Sequence, residues 1–501
     1  MKEFDGERVV VMGLGLFGGG EGAARFFAER GARVLVTDLR PESDLRPALE
    51  RLSDLPGVSF RLGGHDTSDF LNADVVVVNP AVPDDAPALA AARDAGVKLT
   101  TEMNLFFERC GAPIVGVTGT NGKSTTAALC HAFLRALGFD ARLGGNIGGS
   151  LLSDVDDLAP PNDDRNGNVV VLELSSFQLE RLRWTRKSPE IAVVLNLAPN
   201  HLDRHKTMEA YAEAKAAILD HQRPEDFAVL NAGDSWYEWF RVRARGRVRA
   251  FAAAPVRDAD VSAVLDGGTL RLRTGAEDDD GPTLDLRAAV ERLARAGDGW
   301  RPGSDERPPG HNAINCLAAA TAVCAALLRL RLRPREDELQ RALESGLAAF
   351  EPLEHRLERV AEVEGVLFVN DSIATNPESV LAALDAFADR SVALIAGGHD
   401  KGLNYDALAK TVCERVRRLV LLESEGATKI MEAVRRVCGG RAPETTRASD
   451  MNEAVRAAAK AEAEVVLLSP ACASYGMFRN FEERGRAFRE AVARLVGVRG
   501  T

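Results

Sequence analysis

Apolar and polar positions alternate along the first part of the chain in a way that predicts a parallel sheet covered by helices. Short continuous apolar runs, typical of strands buried on both faces, alternate with amphipathic stretches that have helical periodicity. The predicted strands are Arg8–Met12, Arg33–Thr37 and Ala73–Val78, with a helix over Glu21–Arg30. Alternating strands and helices favour a wound parallel sheet, and so a Rossmann-like N-terminal domain.

The same pattern begins twice more, which predicts three α/β domains over residues 1–110, 111–350 and 351–501. The second domain starts near Ile114, with strands at Val169–Leu174 and Ile191–Leu195 and a helix over Thr207–Leu219. The third is also predicted to be Rossmann-like, with strands at Val366–Val369, Val392–Ala396, Leu419–Leu422 and Val465–Leu468. Two polar segments, 158–167 and about 274–309, are too rich in Pro, Gly and charge to fill a core and are interpreted as insertions.

The strongest chemical signal is the run Gly116–Thr126, which lies between a predicted strand and a predicted helix. Glycines let backbone N–H groups converge on an anion, and the helix start adds unpaired donors and a positive dipole end. Lys123 can reach the outer phosphates of a nucleotide, and the Ser124 hydroxyl can bind Mg²⁺. Val117 stands where the general P-loop pattern has its first glycine. We therefore predict a nucleotide site of variant form in a middle domain with a P-loop-type ATPase fold.

A second glycine-rich turn, near the N-terminus, has more than one interpretation. Gly13, Gly15 and Gly18 form a G-x-G-x-x-G pattern after the first strand, and Asp38 ends the next strand. This arrangement is typical of dinucleotide binding and makes a dehydrogenase an alternative. Because a dehydrogenase needs no second phosphate loop, the run around Lys123 weakens that alternative. The turn can also hold another nucleotide diphosphate or serve only as a tight turn.

Composition excludes several classes of function. The chain has 501 residues, of which 46% are apolar and 27% charged, as in ordinary globular enzymes. Its net charge of −11 argues against a nucleic-acid partner. We find no signal peptide and no apolar run long enough to span a bilayer, so a cytoplasmic location is expected. The seven cysteines form no C-x-x-C pair, and we expect free thiols rather than disulfides or a zinc site.

Motifs along essentially the whole chain resemble those of the Mur ligases, the ATP-dependent enzymes that add amino acids in peptidoglycan synthesis. In that family's order they are Gly119–Thr125, Glu173–Leu179, Asn200–His205, Tyr211–Lys215, Gly310–Asn315, Glu354–Glu358, Asn370–Ser372, Gly397–Lys401, Leu468–Ser474 and Phe478–Gly485. The motifs at 173–180 and 469–485 look like those of the D-glutamate-adding branch. The resemblance implies that ATP converts a carboxylate into an acyl phosphate, which an amine then attacks. UDP-N-acetylmuramoyl-L-alanine and D-glutamate are the implied substrates.

The resemblance also implies which residues hold ATP and Mg²⁺. The implied nucleotide contacts are Gly119, Thr120, Asn121, Gly122, Lys123, Ser124, Thr125, Asn312, Arg356 and Asp371. Two Mg²⁺ sites are expected, one on Ser124 and Glu173 and a second on His201. Lys215 matches the family's carbamylated lysine, in which carbon dioxide converts the amine into an anionic metal ligand. Lys123, His201 and Lys215 are thus the implied catalytic residues.

For the other two substrates, the resemblance implies residues in all three domains. The UDP-bearing acceptor would contact Asp38, Arg40 and Asn146, and D-glutamate would contact Thr375, Lys401, Ser474 and Phe481. Two positions depart from the family pattern: Ile373 replaces a usual lysine, and Tyr475 stands where leucine is frequent. Both leave the reaction class intact and the fine specificity open.

Three alternatives therefore accompany the implied function. A related ligase would add L-glutamate or another amino acid to a UDP-muramoyl acceptor. A dehydrogenase would bind a nicotinamide cofactor, and a nucleotide switch would bind ATP without turnover that depends on an amino acid. A monomer without nucleic-acid or membrane partners is expected in each case.

Overall fold

The computed structural model describes residues 2–14, 18–162, 167–254, 261–266, 269–272, 311–350, 354–388 and 390–499, and the statements below refer to these residues. Gly15, within the first glycine-rich turn, and the predicted insertion at 274–309 lie outside the described residues.

The described strands form three separate sheets. In chain order they are β1 Arg8–Met12, β2 Arg33–Asp38, β3 Val58–Leu62, β4 Val75–Val78, β5 Lys98–Thr100, β6 Ile114–Thr118, β7 Asp140–Gly145, β8 Asn168–Glu173, β9 Ile191–Val194, β10 Phe227–Asn231, β11 Arg247–Ala252, β12 Val261–Asp266, β13 Thr269–Leu272, β14 Glu358–Val363, β15 Val366–Asn370, β16 Val392–Ala396, β17 Val416–Leu422, β18 Glu444–Ala448 and β19 Val465–Leu468.

Helices connect the strands and cover the sheets. They are Gly19–Glu29, Glu42–Leu52, Thr67–Leu71, Pro87–Asp94, Glu102–Arg109, Lys123–Ala136, Ser176–Leu182, Leu202–His205, Met208–Ala216, Tyr237–Arg241, His311–Arg329, Glu336–Ala349, Pro377–Ala386, Asp406–Arg415, Glu425–Cys438, Met451–Ala458 and Phe481–Arg499, with 3₁₀ turns at Leu152–Asp157 and Gly439–Arg441.

The first sheet is parallel throughout, in the order β3-β2-β1-β4-β5. Strand order reverses between β1 and β4, so the connections leave these two strands in opposite directions. Such a switch point opens a crevice at the carboxyl ends of the strands, where α/β proteins bind ligands. The loops that follow β1 and β4 form the walls of this crevice.

The second sheet has the order β13-β12-β11-β10-β9-β6-β8-β7 and is parallel except for the β12–β13 pair. Strand β6 lies between β8 and β9, with Val117 paired to both Glu173 and Val193. Because parallel strands end at the same edge, the loops after β6, β8 and β9 meet there. Helix Lys123–Ala136, which follows β6, packs against helices His311–Arg329 and Glu336–Ala349 in one apolar core.

The third sheet has the order β14-β15-β19-β16-β17-β18, with only the β14–β15 pair antiparallel. The carboxyl ends of β15, β19 and β16 are therefore neighbours. The loops that follow these three strands carry Asp371, Ser474 and Lys401.

The predicted α/β class with mainly parallel sheets is confirmed, and the principal strands lie where the apolar runs predicted them. Strands Arg8–Met12 and Val392–Ala396 have the predicted bounds, whereas helix Gly19–Glu29 starts two residues earlier than predicted. The antiparallel edge strands β13 and β14 are short or amphipathic, and the apolar pattern alone gave no sign of them.

Helix His311–Arg329 corrects the expectation that no apolar run is long enough to cross a bilayer. Its window Asn312–Arg329 has 18 residues and a mean hydropathy of 1.4, sufficient by length and composition. However, 78% of that window is buried inside the protein. The helix lies against strands β9 to β12, and its apolar character matches this core position.

The expectation that all cysteines are free thiols is wrong for one pair. Cys413 and Cys438 form a disulfide, with their Cα atoms 5.8 Å apart. Helices Asp406–Arg415 and Glu425–Cys438 pack against each other and bring the two residues together. The sequence separation of 25 residues carries no recognisable spacing signal, because the pairing depends on this helix packing.

Replacing Phe133 with Ala is expected to destabilise the second domain. The ring is completely buried and lies against Gly346, where an added Cβ would come within 2.6 Å of its Cδ1 atom. Loss of a buried phenyl ring costs about 3–5 kcal/mol through lost burial and a residual cavity. Denaturant unfolding followed by circular dichroism measures this, with the exposed Arg135→Ala as control. Equal midpoints for the two variants would contradict the packing described here.

Candidate functional site

The loop between β6 and helix Lys123–Ala136 is held open by two glycines with positive φ. Gly119 has φ 155° and Gly122 has φ 84°, a conformation that L side chains rarely adopt. A Cβ on Gly122 would also lie 2.3 Å from Asn315 Oδ1. Gly122 caps the helix without a side-chain hydrogen bond, so no capping side chain competes with an anion for the first helical amides.

Neighbouring segments fix the rest of this loop. The backbone N–H of Asn121 donates to Asn196 Oδ1 at 2.9 Å, and that of Thr120 donates to the Asn196 carbonyl at 2.9 Å. Ser124 and Thr125 follow in the first turn of the helix and are buried. The structure thus keeps the predicted nucleotide loop together, and Asn196 joins it from the segment after β9.

Lys123 folds back over this loop. Its Nζ donates to the carbonyls of Thr120 at 2.8 Å and Gly119 at 3.1 Å. Burial lowers the pKa of Lys123, while the negative charge of Glu173 opposes this shift and the charge of Arg356 adds to it. The ammonium group therefore feels the charges of both a carboxylate and a guanidinium group.

Glu173 ends β8 beside the loop and has one unsatisfied oxygen. Its Oε1 accepts a hydrogen bond from Asn146 Nδ2 at 3.1 Å, whereas Oε2 is buried without a hydrogen-bond partner. A buried carboxylate oxygen without a partner is costly unless a cation or donor satisfies it. The residue type, the burial and the unsatisfied oxygen fit a hard divalent cation such as Mg²⁺. Asn146, predicted to contact the acceptor, supports Glu173 in this structure.

Lys215 is almost fully buried, 1% exposed, on helix Met208–Ala216. Its Nζ donates to the Gly119 carbonyl at 2.8 Å and to Thr118 Oγ1 at 3.3 Å, and it lies 4.7 Å from the centre of the Tyr211 ring. Burial lowers the pKa of Lys215 well below its usual range, and the charge of Lys123 lowers it further. A neutral amine at this position is a nucleophile rather than a fixed cation.

His201 begins helix Leu202–His205 with a left-handed φ of 54°. Its ring packs edge-on against Phe177 at a centroid distance of 4.9 Å. Burial lowers the pKa of His201 to about 2, and three nearby lysine charges add to this effect. These are Lys401, Lys123 and Lys215. The imidazole is therefore neutral and keeps a lone pair for a metal ion.

In the third domain, the predicted D-glutamate contacts lie on the segments that follow β15, β16 and β19. Lys401 Nζ donates to Thr375 Oγ1 at 3.3 Å, and Ser474 is buried on the neighbouring loop. Phe481 begins the last helix, and its carbonyl accepts a hydrogen bond from Ser372 Oγ at 2.7 Å. Tyr475 is 57% exposed, so this departure from the family pattern leaves a phenol at the surface beside Ser474.

Asp371 and Arg356, both predicted nucleotide contacts, also belong to the third domain. Burial raises the pKa of Asp371 to about 7, although the Ser469 hydroxyl and the charge of Arg356 oppose the shift. The positive charge of Arg356 thus acts on the pKa of both Asp371 and Lys123. Asn312, also predicted to contact the nucleotide, lies one helical turn before Asn315 on the same helix.

The structure places the first domain's predicted residues apart from this cluster. Burial raises the pKa of Asp38, but hydrogen bonds and the charge of Arg40, together with the backbone N–H of Leu14, lower it more. Arg40 Nη2 lies 3.1 Å from Asp38 Oδ2, and the Leu14 N–H donates to the same oxygen at 2.9 Å. Asp38 therefore supports the glycine-rich turn that follows β1 at the switch-point crevice.

Sequence reasoning missed several residues that shape the site. Asn315 lies against Gly122, and its Nδ2 is buried without a hydrogen-bond partner. Ser379 Oγ donates to Asn121 Oδ1 at 3.0 Å, a direct contact between the third domain and the nucleotide loop. Arg484 is buried and donates to the Ser372 hydroxyl and carbonyl and to the Cys472 carbonyl. Asn315 and Arg484 lie inside recognised motifs, whereas nothing in the sequence marks Ser379.

Among the described residues, no group of three or more His, Cys, Asp or Glu side chains is arranged to hold a metal ion. Glu173 and His201 are the two predicted ligands of these types. A bound cation would therefore need further oxygens from a hydroxyl, a modified lysine or a phosphate.

Family models match all three parts of the chain. A MurD-like Mur ligase N-terminal domain matches residues 7–101, a Mur ligase middle domain 117–273, and a Mur ligase glutamate ligase domain 355–472. The chain is 41% identical over 503 residues to a UDP-N-acetylmuramoylalanine--D-glutamate ligase of Roseiflexus sp., covering 97% of this chain and 98% of that one. It is 39% identical to the enzyme of the same name from Symbiobacterium thermophilum, covering 98% of both.

The chain belongs to the Mur ligase family. Solved structures of the same fold include the UDP-N-acetylmuramate-alanine ligase of Thermotoga maritima, with a TM-score of 0.57 at 18% identity, covering 98% of this chain and all of that one. A pseudomurein peptide ligase of Methanothermus fervidus has a TM-score of 0.55 at 18% identity, with the same coverage. These likenesses support the three-domain fold of this Mur ligase.

Glu102 is a further acid of the site region, partly buried at the junction of the first two domains. Its Oε1 accepts a hydrogen bond from Ser150 Oγ at 2.6 Å. An added Cβ on Gly19 would lie 3.8 Å from its Oε2, so it borders the helix that follows the first glycine-rich turn. Burial raises the pKa of Glu102 to about 7, although the Ser150 hydroxyl opposes the shift.

Glu102→Gln is therefore expected to stabilise the protein at alkaline pH. The ordinary pKa is 4.5, so from there to about pH 7 unfolding releases a proton, and the free energy of unfolding falls as pH rises. Glutamine stays neutral, so the variant should match the wild type near pH 4.5 and exceed it above about pH 7. Melting temperatures across this range measure the difference, with the exposed Glu108→Gln as control. A variant less stable than the wild type at alkaline pH would contradict the assignment.

Proposed function

We propose that this Mur ligase adds D-glutamate to UDP-N-acetylmuramoyl-L-alanine and converts ATP to ADP and phosphate. The observation that carries the proposal is the unsatisfied, buried Glu173 Oε2 beside the strand that leads into the Lys123 loop, a loop that the third domain contacts directly through Ser379 and Asn121. A candidate cation-binding oxygen, a phosphate-binding loop and the candidate amino-acid-binding domain thus lie next to one another. The names of full-length relatives and the presence of ADP in a MurF ligase from Thermotoga maritima support the same reaction.

The three parts of the chain would divide the substrates among them. Residues 1–110 would hold the UDP end of the acceptor, 111–350 the ATP, and 351–501 the amino acid. Asp38 and Arg40 would contact the uridine end, and the hydrogen bond from the Leu14 N–H to Asp38, in the turn after β1, supports this role. We further propose cytoplasmic action, where ATP is available, and the monomeric state remains a prediction.

Amide formation needs an activated carboxyl group. An acceptor carboxylate oxygen attacks the γ-phosphorus of ATP, and the bond to the bridging oxygen breaks with its electron pair leaving on ADP. The amine nitrogen then attacks the acyl carbon, the C–O bond to phosphate breaks, and the amine loses a proton. Lys123 would stabilise the charge on the transferring group, and Lys401 would bind a carboxylate of D-glutamate.

Mg²⁺ would neutralise phosphate oxygens in this site. Ser124 and Glu173 would hold one ion, and His201 with carbamylated Lys215 would hold a second. The unsatisfied Glu173 Oε2 and the neutral imidazole of His201 are suited to these roles. Asn312 and Asp371 are proposed to contact the nucleotide, and Thr375, Ser474 and Phe481 the D-glutamate.

The carbamate would form when the neutral Lys215 amine attacks carbon dioxide and releases a proton. The strongly lowered pKa of the buried Lys215 amine favours this step, because little free energy is needed to deprotonate it. The product is an anion, which the positive charge of Lys123 would attract, whereas the same charge disfavours a protonated Lys215.

Phosphate release tests the function directly. We expect release by the purified chain to require ATP, Mg²⁺, UDP-N-acetylmuramoyl-L-alanine and D-glutamate together. A scan that includes L-glutamate and other amino acids separates the alternatives. Turnover with another amino acid and none with either glutamate would overturn the proposal, and turnover with L-glutamate alone would revise the stereochemistry.

Lys215→Ala is expected to lower turnover at least about tenfold, because the variant loses an anionic ligand of the metal site. Short carboxylic acids such as acetate should restore part of the activity by occupying the vacated space. The exposed Lys187→Ala is the matched control and should respond to neither change. Full activity of Lys215→Ala without added acid would show that no carbamate is required.

A further inference from the structure

Two arginines of the middle domain donate hydrogen bonds to the backbone of one loop of the N-terminal domain, residues 79–82, and we call this set of bonds the arginine grip. Arg181 Nη1 donates to the Asn79 carbonyl at 2.9 Å, and Arg181 Nη2 donates to the Val82 carbonyl. Arg204 Nη1 donates to the carbonyls between them, Pro80 at 3.0 Å and Ala81 at 3.4 Å. Four consecutive carbonyls, from Asn79 to Val82, thus accept hydrogen bonds from a different domain.

The gripped loop forms one wall of the switch-point crevice. It follows β4 and contacts the turn after β1, where Asn79 Nδ2 lies 3.4 Å from the Gly13 carbonyl. An added Cβ on Gly13 would approach Asn79 Cβ to 3.0 Å. Any displacement of the 79–82 loop would therefore change the crevice.

The two arginines arise from the segments that carry the candidate metal ligands. Arg181 lies on helix Ser176–Leu182, which begins three residues after the end of β8 at Glu173, and a capping box between Ser175 and Gln178 fixes the start of this helix. Arg204 lies one turn after His201, and its guanidinium stacks 4.4 Å from the Phe177 ring that also contacts His201. Each arginine therefore connects one metal-binding segment to the crevice wall.

The burial of Arg181 makes this connection rigid and specific. Its side chain is 1% exposed, and its one carboxylate contact among the described residues, Asp84 at 3.1 Å, is 54% exposed. Burial lowers the pKa of Arg181, as expected for a guanidinium removed from water. A buried charge of this kind is destabilising unless its hydrogen bonds are kept, so departure of the loop would be costly. Asn104 Nδ2 also donates a hydrogen bond to the Arg181 carbonyl at 3.0 Å, which joins helix Glu102–Arg109 to the helix that carries Arg181.

We infer that Arg181 and Arg204 are positioning residues that fix the acceptor-binding crevice relative to the phosphate loop. The inference rests on the proposed function in one respect, namely that the UDP-bearing acceptor binds at this crevice. In-line attack requires the acceptor carboxylate to be placed within a few tenths of an ångström, and the two ends of the acceptor lie on different domains. The arginine grip supplies the fixed distance between those ends.

Arg181→Met tests the inference, with Arg183→Met as the matched control. Arg183 is two residues away and contacts Glu213 and Asp220 within the middle domain. We expect Arg181→Met to lower kcat/KM for the acceptor about tenfold to a hundredfold and to leave the KM for ATP within about twofold. Arg183→Met should resemble the wild type in both. Arg181→Lys keeps the charge but not the fork of donors and should fall between wild type and Arg181→Met.

Calorimetry supplies a readout that does not need turnover. Arg181→Met should weaken binding of UDP-N-acetylmuramoyl-L-alanine and leave ADP binding unchanged, which also shows that the middle domain is folded. If Arg181→Met does not fold, the same measurements on Arg181→Lys decide.

The inference would be overturned if the Arg181 variants had the wild-type kcat/KM and binding affinity for the acceptor. It would also be overturned if the affinities for the acceptor and for ATP fell by the same factor. A wild-type chain that binds the acceptor without turnover would instead refute the proposed ligase reaction alone. A wild-type chain that binds no acceptor would overturn both.

Discussion

The structure of this site depends on the repulsion among three lysines, of which Lys215 is fully buried and Lys123 and Lys401 are partly buried. Burial lowers the pKa of His201, and the charges of all three lysines lower it further. Burial also lowers the pKa of Lys123 and of Lys215, and the negative charge of Glu173 opposes this shift. In a medium of low dielectric constant such a group is costly unless anions enter or protons leave. The depressed pKa of Lys215 is one response, and the phosphates of a nucleotide would be the other. A ligase that handles a nucleoside triphosphate and two carboxylates has the substrate charge that this group lacks.

Strand order is what brings these cations together. Because β6 lies between β8 and β9, the phosphate loop, Glu173 and the segment leading to His201 end at one edge of the second sheet. The third sheet repeats the device with β15, β19 and β16, whose loops carry Asp371, Ser474 and Lys401. The hydrogen bond from Ser379 to Asn121 then joins the two edges. Each domain has a common α/β architecture, and the candidate site lies where the carboxyl edges of the second and third sheets meet.

The sequence predicted the strands and the chemistry better than it predicted the contacts between domains. Apolar runs such as Val392–Ala396 identify buried strands, and Gly122 with Lys123 identifies a phosphate loop, because both signals are local. The Cys413–Cys438 pairing, the Ser379–Asn121 bond and the unsatisfied Glu173 oxygen depend on packing between distant segments. Asn146 illustrates the difference: the family resemblance implies an acceptor contact, and only the fold shows that its amide also supports Glu173.

The net charge of the whole chain is negative, whereas the charge of the site is positive. The two are compatible because exposed charges act only over a short distance. A net charge of −11 would repel anionic substrates, but exposed charges act only over about 8 Å at physiological salt. Inside the site Lys215 is buried and Lys123 and Lys401 are partly buried, so their charges are screened less and dominate once a substrate has entered. The site can then discriminate by fit rather than by long-range attraction, which requires the walls to stay in place. The arginine grip on the 79–82 loop fixes one of these walls. This role accounts for the burial of the Arg181 charge between two domains, although its removal from water costs free energy.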